Sequence, residues 1–266
     1  MVTTLYFLKM AFPAFYLVLF SVAGLIAGSF MTVVVARLPA VILNERFDEW
    51  WLCMPRSHCP QCKTVLGWQD NIPLFSWVGA GGQCRHCGED IPLLYPLLEV
   101  GCAILFLSIA VVYSEPMTAM GLSLMCWFLL ALAVIDYRHF LLPDCLTLTL
   151  LWSGLLFTAF QTPDLLVDSV AGAVAGYGVF YALNRFWLLF RKTNGLGLGD
   201  AKLLAALGAW VGWEPLPAIC LLSALLGIAL YVYRRSTGEV MAYIPFGMPL
   251  ALGGGVMVMK EFLQWQ

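Results

Sequence analysis

Runs of apolar residues long enough to cross a bilayer constrain this chain more than any other feature. They cover residues 12–36, 93–113, 117–135, 145–160, 169–190, 201–213, 216–233 and 245–263. A spanning helix needs about 20 predominantly apolar residues, and lipid forces each such run to satisfy its own backbone hydrogen bonds. The sixth run is short and rich in Ala and Gly, so its limits are the least sharply drawn. The chain is therefore expected to be an all-α polytopic membrane protein of about eight transmembrane helices. Its composition agrees: 61% of residues are hydrophobic and 11% are charged, where a soluble domain carries about 25% charged residues. A formal net charge of −2 gives no footing for nucleic acid.

The first run could be mistaken for a secretory signal, since Ala27-Gly28-Ser29 imitates a cleavage site. It is longer than the roughly 7–15-residue apolar core of a signal peptide and Arg37 follows it, so a retained helix is expected. One polar insertion, residues 37–92, separates it from the rest. This gives a first helix at 1–36, a small loop domain at 37–92 and a seven-helix membrane domain at 93–266.

Basic residues set the orientation. With eight spans, Arg37, Arg46, Arg56, Lys63, Arg85, Arg138, Arg185, Arg191, Lys192, Lys202, Arg234 and Arg235 fall on one side. Lys9 and Lys260 alone of the 14 fall on the other. The positive-inside rule places the loop domain in the cytosol and both termini outside.

Nine cysteines are present. Cys102, Cys126, Cys145 and Cys220 lie in or beside apolar runs, where Cys behaves as a small hydrophobe, and Cys53 has no evident partner. The loop carries Cys59-Pro-Gln-Cys62 and, after 21 intervening residues, Cys84-Arg-His-Cys87. Two such turns can present four thiolates to one Zn²⁺, closing its coordination sphere as a structural site. A cytosolic setting disfavours disulfides, and a small loop with little core gains folding energy from a metal. Redox-active pairs and unbound thiols are the alternatives.

Two aspartates stand out. Asp136 ends the third run and Asp200 begins the sixth, after the glycine-rich stretch Gly195-Leu-Gly197-Leu-Gly199. The third run travels inward and the sixth outward, so both carboxylates fall on the cytosolic side. Two close carboxylates cannot both ionise cheaply and tend to share one proton, which is what activating a water against a peptide carbonyl requires. Plainer readings stand beside this. Asp200 and Asp144 are each suited to be helix N-caps, and Asp136 could pair with Arg138. The glycine run is not a dinucleotide fingerprint, because no strand precedes it.

Several stretches resemble one family, the type IV prepilin leader peptidases. Gly197-Leu-Gly199-Asp200 is similar to the Gly-x-Gly-Asp signature of intramembrane aspartyl proteases, and Asp136 with Pro143-Asp144 resembles the first aspartate motif. Gly28-Ser-Phe30, Arg37-Leu-Pro39, Asn71-Ile-Pro73-Leu-Phe-Ser76-Trp77, Tyr95-Pro96-Leu-Leu-Glu99 and Ile244-Pro-Phe-Gly247 match further stretches, in order. The resemblance implies cleavage of the basic leader of prepilins or pseudopilins, usually after Gly, at the inner-membrane cytosolic face, by Asp136 and Asp200. It also implies N-methylation of the new terminus from S-adenosylmethionine, in a pilus or type II secretion system. Asp144 and Lys202 map near the catalytic pair. The chain departs from the family at Thr32, where Asn is common, and at Leu94, where Arg is common; both departures bear on methylation. A transporter, an inert assembly module with a zinc docking domain, and a methyltransferase without protease activity are the competing functions.

Overall fold

The computed structural model describes residues 2–43, 56–59, 61–191, 197–238 and 245–264. Arg46, Cys53, Lys192, Gly195 and Ile244, singled out in the sequence, lie outside the described residues. Ten α-helices form among the described residues, with no strand longer than an isolated bridge. They are α1 (Val2–Ala11), α2 (Pro13–Leu43), α3 (Phe75–Gly79), α4 (Leu94–Val112), α5 (Pro116–His139), α6 (Asp144–Gln161), α7 (Leu166–Arg191), α8 (Leu198–Val211), α9 (Leu216–Ser236) and α10 (Gly247–Gln264). The chain divides into two compact units, Met1–Ser123 and Leu124–Gln266, with the division inside α5.

All eight apolar runs are helical, but among the described residues five segments are both long and apolar enough to cross a membrane: α2, α4, α5, α9 and Pro163–Phe190, which takes in nearly all of α7. At 1.5 Å per residue, the 14 residues of α8 extend about 21 Å, short of the roughly 30 Å hydrocarbon core. The first helix also differs from expectation. A separate helix, α1, precedes it, and α2 continues past Ala36 through Arg37 and Pro39 to Leu43. The expected boundary at residue 36 therefore falls inside a helix.

In the first unit, α2 lies against α4 at backbone distance. A Cβ on Gly24 would sit 2.6 Å from Ala103 Cα, and one on Gly28 would sit 2.6 Å from Glu99 Cα. Two glycines four apart share a helix face, and small residues there let spanning helices close to van der Waals contact of their backbones. On the far side, Lys9 of α1 donates to the Tyr113 carbonyl at 2.6 Å, meeting an orphan acceptor at the end of α4.

The second unit is built around α8. Ala201 and every residue from Leu203 to Val211 are buried, so this helix is apolar on all sides, as an element wrapped by neighbours must be. Those neighbours are α7, α6 and α10. Gly172 and Gly176 of α7 repeat the four-residue spacing of α2: Gly172 meets Gly208 of α8 backbone to backbone, and a Cβ on Gly176 would lie 2.7 Å from the Leu204 carbonyl. Gly154 of α6 leaves room for the Trp210 indole, whose Nε1 donates to the Leu150 carbonyl at 3.0 Å. Being enclosed by helices, α8 has no need to meet the length rule for a lipid-exposed span.

Candidate functional site

One end of the second unit gathers the residues that the sequence singled out. Asp136 lies within the last turn of α5 and is 5% exposed. Its Oδ2 accepts the Met248 N–H at 2.8 Å, and the Gly247 N–H also donates to this carboxylate. Both donors open α10, so the carboxylate meets free amides and the positive end of a helix dipole. The pairing with Arg138 that the sequence allowed is not formed.

Asp200 is half-buried in the first turn of α8. It is not the N-cap: that position belongs to Gly197, whose N–H donates to the Asp200 carboxylate. Asp144 is not an N-cap either. Pro143 precedes α6 in that position, and both Asp144 oxygens accept from Lys202 Nζ, at 2.6 and 2.7 Å.

Leu142 joins these pieces. A Cβ on Gly199 would lie 2.9 Å from Leu142 Cβ, and one on Gly247 would lie 2.8 Å from Leu142 Cδ1 and 2.9 Å from Asp136 Cγ. The leucine is seated between the glycine beside Asp200 and the glycine beside Asp136. The two carboxylates are thereby brought near enough that the charge of Asp136 acts directly on Asp200. Arg234 of α9 stacks over the Tyr137 ring at 4.4 Å, which puts a guanidinium beside the residue that follows Asp136. One buried and one half-buried carboxylate, each with an amide donor, can hold and polarise a water molecule.

Neither Leu142 nor the α10 amides were legible as parts of the site. The signal available was Pro245-Phe-Gly247 at the start of the last apolar run, where α10 begins on a residue with no side chain.

The four loop cysteines form the second cluster, in the first unit. Their Sγ atoms all lie within 4.8 Å of one another. Zn–S bonds of about 2.3 Å would set tetrahedral S···S edges near 3.8 Å, and Cys59 Sγ lies 3.7 Å from Cys87 Sγ. The two knuckles are copies of one turn. Cys59 N–H donates to the Thr64 carbonyl and Lys63 N–H to the Cys59 carbonyl; Cys84 N–H donates to the Glu89 carbonyl and Gly88 N–H to the Cys84 carbonyl. Lys63 and Gly88 share a left-handed φ, 58° and 74°. Bridges His58 to Val65 and Gln83 to Asp90 close the two turns. Thiols packed this closely share charge unevenly. A hydrogen bond from the Thr64 side chain, with others, pulls Cys62 down to about 6. Cys87, despite a Glu89 backbone bond that favours its thiolate, is pushed up to about 12 by desolvation and by its neighbouring thiols. The donor set and spacing fit a metal ion held by four sulfurs. His58 and His86 stay outside the set.

Known proteins share this sequence over nearly its whole length. The bacterial peptidase A24 N-terminal domain matches residues 22–113, and the type IV leader peptidase family matches residues 123–232. A prepilin leader peptidase/N-methyltransferase of Pseudomonas putida is 38% identical, over 93% of this chain and 91% of its own. One from Pectobacterium carotovorum subsp. carotovorum is 40% identical, over 94% and 96%. The type 4 prepilin-like proteins leader peptide-processing enzyme of an enterotoxigenic Escherichia coli strain is 38% identical, over 91% and 93%. No solved structure matches it.

Proposed function

The chain belongs to the type IV leader peptidase family, and we propose that it removes the leader of prepilins or pseudopilins with Asp136 and Asp200 as its catalytic pair. The observation that carries this reading is the junction at Leu142, which brings the two aspartates to one end of the second unit with helix amides around them. One carboxylate, ionised, takes a proton from water as the oxygen attacks the scissile carbonyl. The other, protonated, donates to the carbonyl oxygen; the proton taken from water then passes to the amine nitrogen as the C–N bond breaks, and the new hydroxyl returns its proton to the second carboxylate as the carboxyl product forms. Amides at α10 and Gly197 hold the carboxylates in place for that exchange. The glycines on either side let Leu142 and the two carboxylates close against backbone.

The Pseudomonas putida and Pectobacterium carotovorum relatives are also N-methyltransferases by name, and methylation of the newly exposed terminus, with S-adenosylmethionine as donor, is the second activity of this reading. Zn²⁺ held by Cys59, Cys62, Cys84 and Cys87 is structural: four sulfurs leave no open position. The basic residues of the loop domain and of the helix ends near the site support a bacterial inner-membrane location with the loop domain in the cytosol and termini outside. All eight helices that match the apolar runs cross the membrane in this reading, α8 inside a jacket of its neighbours. Residues 37–92, with the end of α2 projecting into them, form the loop domain, and 93–266 the peptidase domain.

The test is leader cleavage of a prepilin in membranes carrying wild-type, Asp136→Asn or Asp200→Asn protein at equal levels. Loss of cleavage in both variants is expected. Cleavage surviving in either would put the active site elsewhere.

A further inference from the structure

The segment between the two knuckles is tied into the membrane helix that follows it. Leu74, at φ 61°, a conformation uncommon for a residue with a side chain, donates its N–H to Glu99 Oε2 at 2.7 Å. Glu99 is a buried residue of α4 whose backbone rests on Gly28 of α2. Along α2, Gly28 comes nine residues before Arg37, the first charged residue of that helix, a distance of about 13 Å at 1.5 Å per residue. If Arg37 marks the water boundary, Glu99 lies well inside it. A glutamate side chain is too short to close that distance. The Leu74 amide and the turn it begins therefore lie at or below the level where α2 leaves lipid.

Large apolar side chains are displayed at this level, interleaved with the exposed polar Gln69 and Asn71. Trp68 is 74% exposed, Phe75 70% and Val78 62%. Phe75 and Val78 are three apart and share one face of α3, and α3 packs on the turn Trp68–Asn71. The one charged side chain of the segment is engaged within the loop domain: Asp70 accepts the Gly67 N–H at 3.1 Å and pairs with Arg85 at 3.6 Å. At the N-cap of α4 and along it, Leu93, Leu97, Ile104 and Val111 are exposed in one helical stripe. A spanning helix turns such a stripe to lipid. Exposed large hydrophobes grouped at this depth are out of place in water; Trp is what membrane–water interfaces collect, and Trp and Phe are the side chains that interfacial segments bury at the acyl boundary.

We propose that residues 68–78 form a foot resting in the headgroup–acyl boundary of the bilayer, with Trp68, Phe75 and Val78 against lipid and Glu99 as its tether. The occupant of this surface is phospholipid. The foot fixes the height of the metal cluster above the membrane, and the inference requires the membrane reading but not the peptidase chemistry.

The test is photo-crosslinking of the full chain in phospholipid nanodiscs, with benzoylphenylalanine placed singly at Phe75, Val78, Leu97 or Gln61. Leu97 is the lipid-facing control, and Gln61, exposed on the first knuckle, is the solvent control. Phospholipid adducts at Phe75 and Val78 of the same order as at Leu97, and none at Gln61, are expected. Water-quenched probe, or adducts to polypeptide, at Phe75 and Val78 while Leu97 labels lipid would overturn the foot. Failure at Leu97 too would remove the membrane premise itself. In a Glu99→Leu chain, labelling at Phe75 should fall while that at Leu97 holds; unchanged labelling at Phe75 would refute the tether.

Discussion

Gly247 lies so close to Asp136 that a Cβ on it would stand 2.9 Å from the carboxylate carbon and 3.0 Å from Oδ2. The same residue opens α10 and, with Met248, presents backbone N–H groups to that carboxylate. The approach of backbone to carboxylate, not the aspartate alone, defines the site.

Gly247→Ala should therefore displace Asp136 while leaving the helices assembled. A shift of about 1 Å in a reacting group can cost on the order of 100-fold in rate, and a loss of that order in leader cleavage is expected. Methylation of a precleaved pilin peptide, assayed alongside, should change little. Wild-type cleavage by the variant would show that Asp136 tolerates the displacement.

Leu142 should act through its shape. Leu142→Ala removes a half-buried side chain and should destabilise by about 1–2 kcal/mol, below the roughly 2–5 kcal/mol of full burial. Cleavage should fall more than this stability change accounts for, and Leu142→Met, which keeps the volume, should recover most of it. Thermal melting in detergent beside single-turnover cleavage separates the two effects.

The Lys202–Asp144 pair is close and bidentate, yet its side chains are 28% and 60% exposed. Solvent screening limits such a pair to about 1 kcal/mol or less. Lys202→Met and Asp144→Asn should each shift stability by no more than that, and added salt should shrink the difference. A loss several times larger in the melting experiment would mean that the pair is shielded far better than its exposure suggests.

Where α7 crosses α8, Gly172 and Gly208 leave no room for a side chain. Gly172→Val or Gly208→Val should cost about 3 kcal/mol or more and deplete folded protein from the membrane. Gly178, also on α7, has nothing within 4 Å of where a Cβ would stand, so Gly178→Ala should be neutral to within about 1 kcal/mol. Equal yields of all three variants would contradict the crossing.

Metal content offers a check independent of catalysis. The purified chain should carry one zinc per chain, lost in Cys59→Ser and in Cys84→Ser. Removal by a chelator should open the knuckles to thiol alkylation at all four cysteines. Metal content unchanged in both variants would exclude these ligands.

The helical elements were legible because their signals are local. Each of the eight apolar runs became a helix, and the spacings Cys59-x-x-Cys62 and Cys84-x-x-Cys87 announced a cluster that the structure closes to 4.8 Å. Helix ends were less legible. Asp200 and Asp144 looked like N-caps, but Gly197 and Pro143 hold those positions: Asp200 reaches back from the first turn to the Gly197 N–H, and Asp144 is taken by the distant Lys202. Apolar length also does not reveal whether a helix faces lipid: α8 is too short for a lipid-exposed span, and only its burial by α6, α7 and α10 explains it.

The sequence by itself determined that this chain is helical, belongs in a membrane, gathers four thiols and carries two aspartates at the ends of apolar runs. Those properties follow from composition and short-range spacing. Only the tertiary structure decided that Leu142 sits between Gly199 and Gly247, that α10 lends its first amides to Asp136, and that Glu99 holds Leu74. These contacts join residues far apart in the chain at backbone distance. Glycine gives them no side-chain signature, so they exist only once the helices have packed.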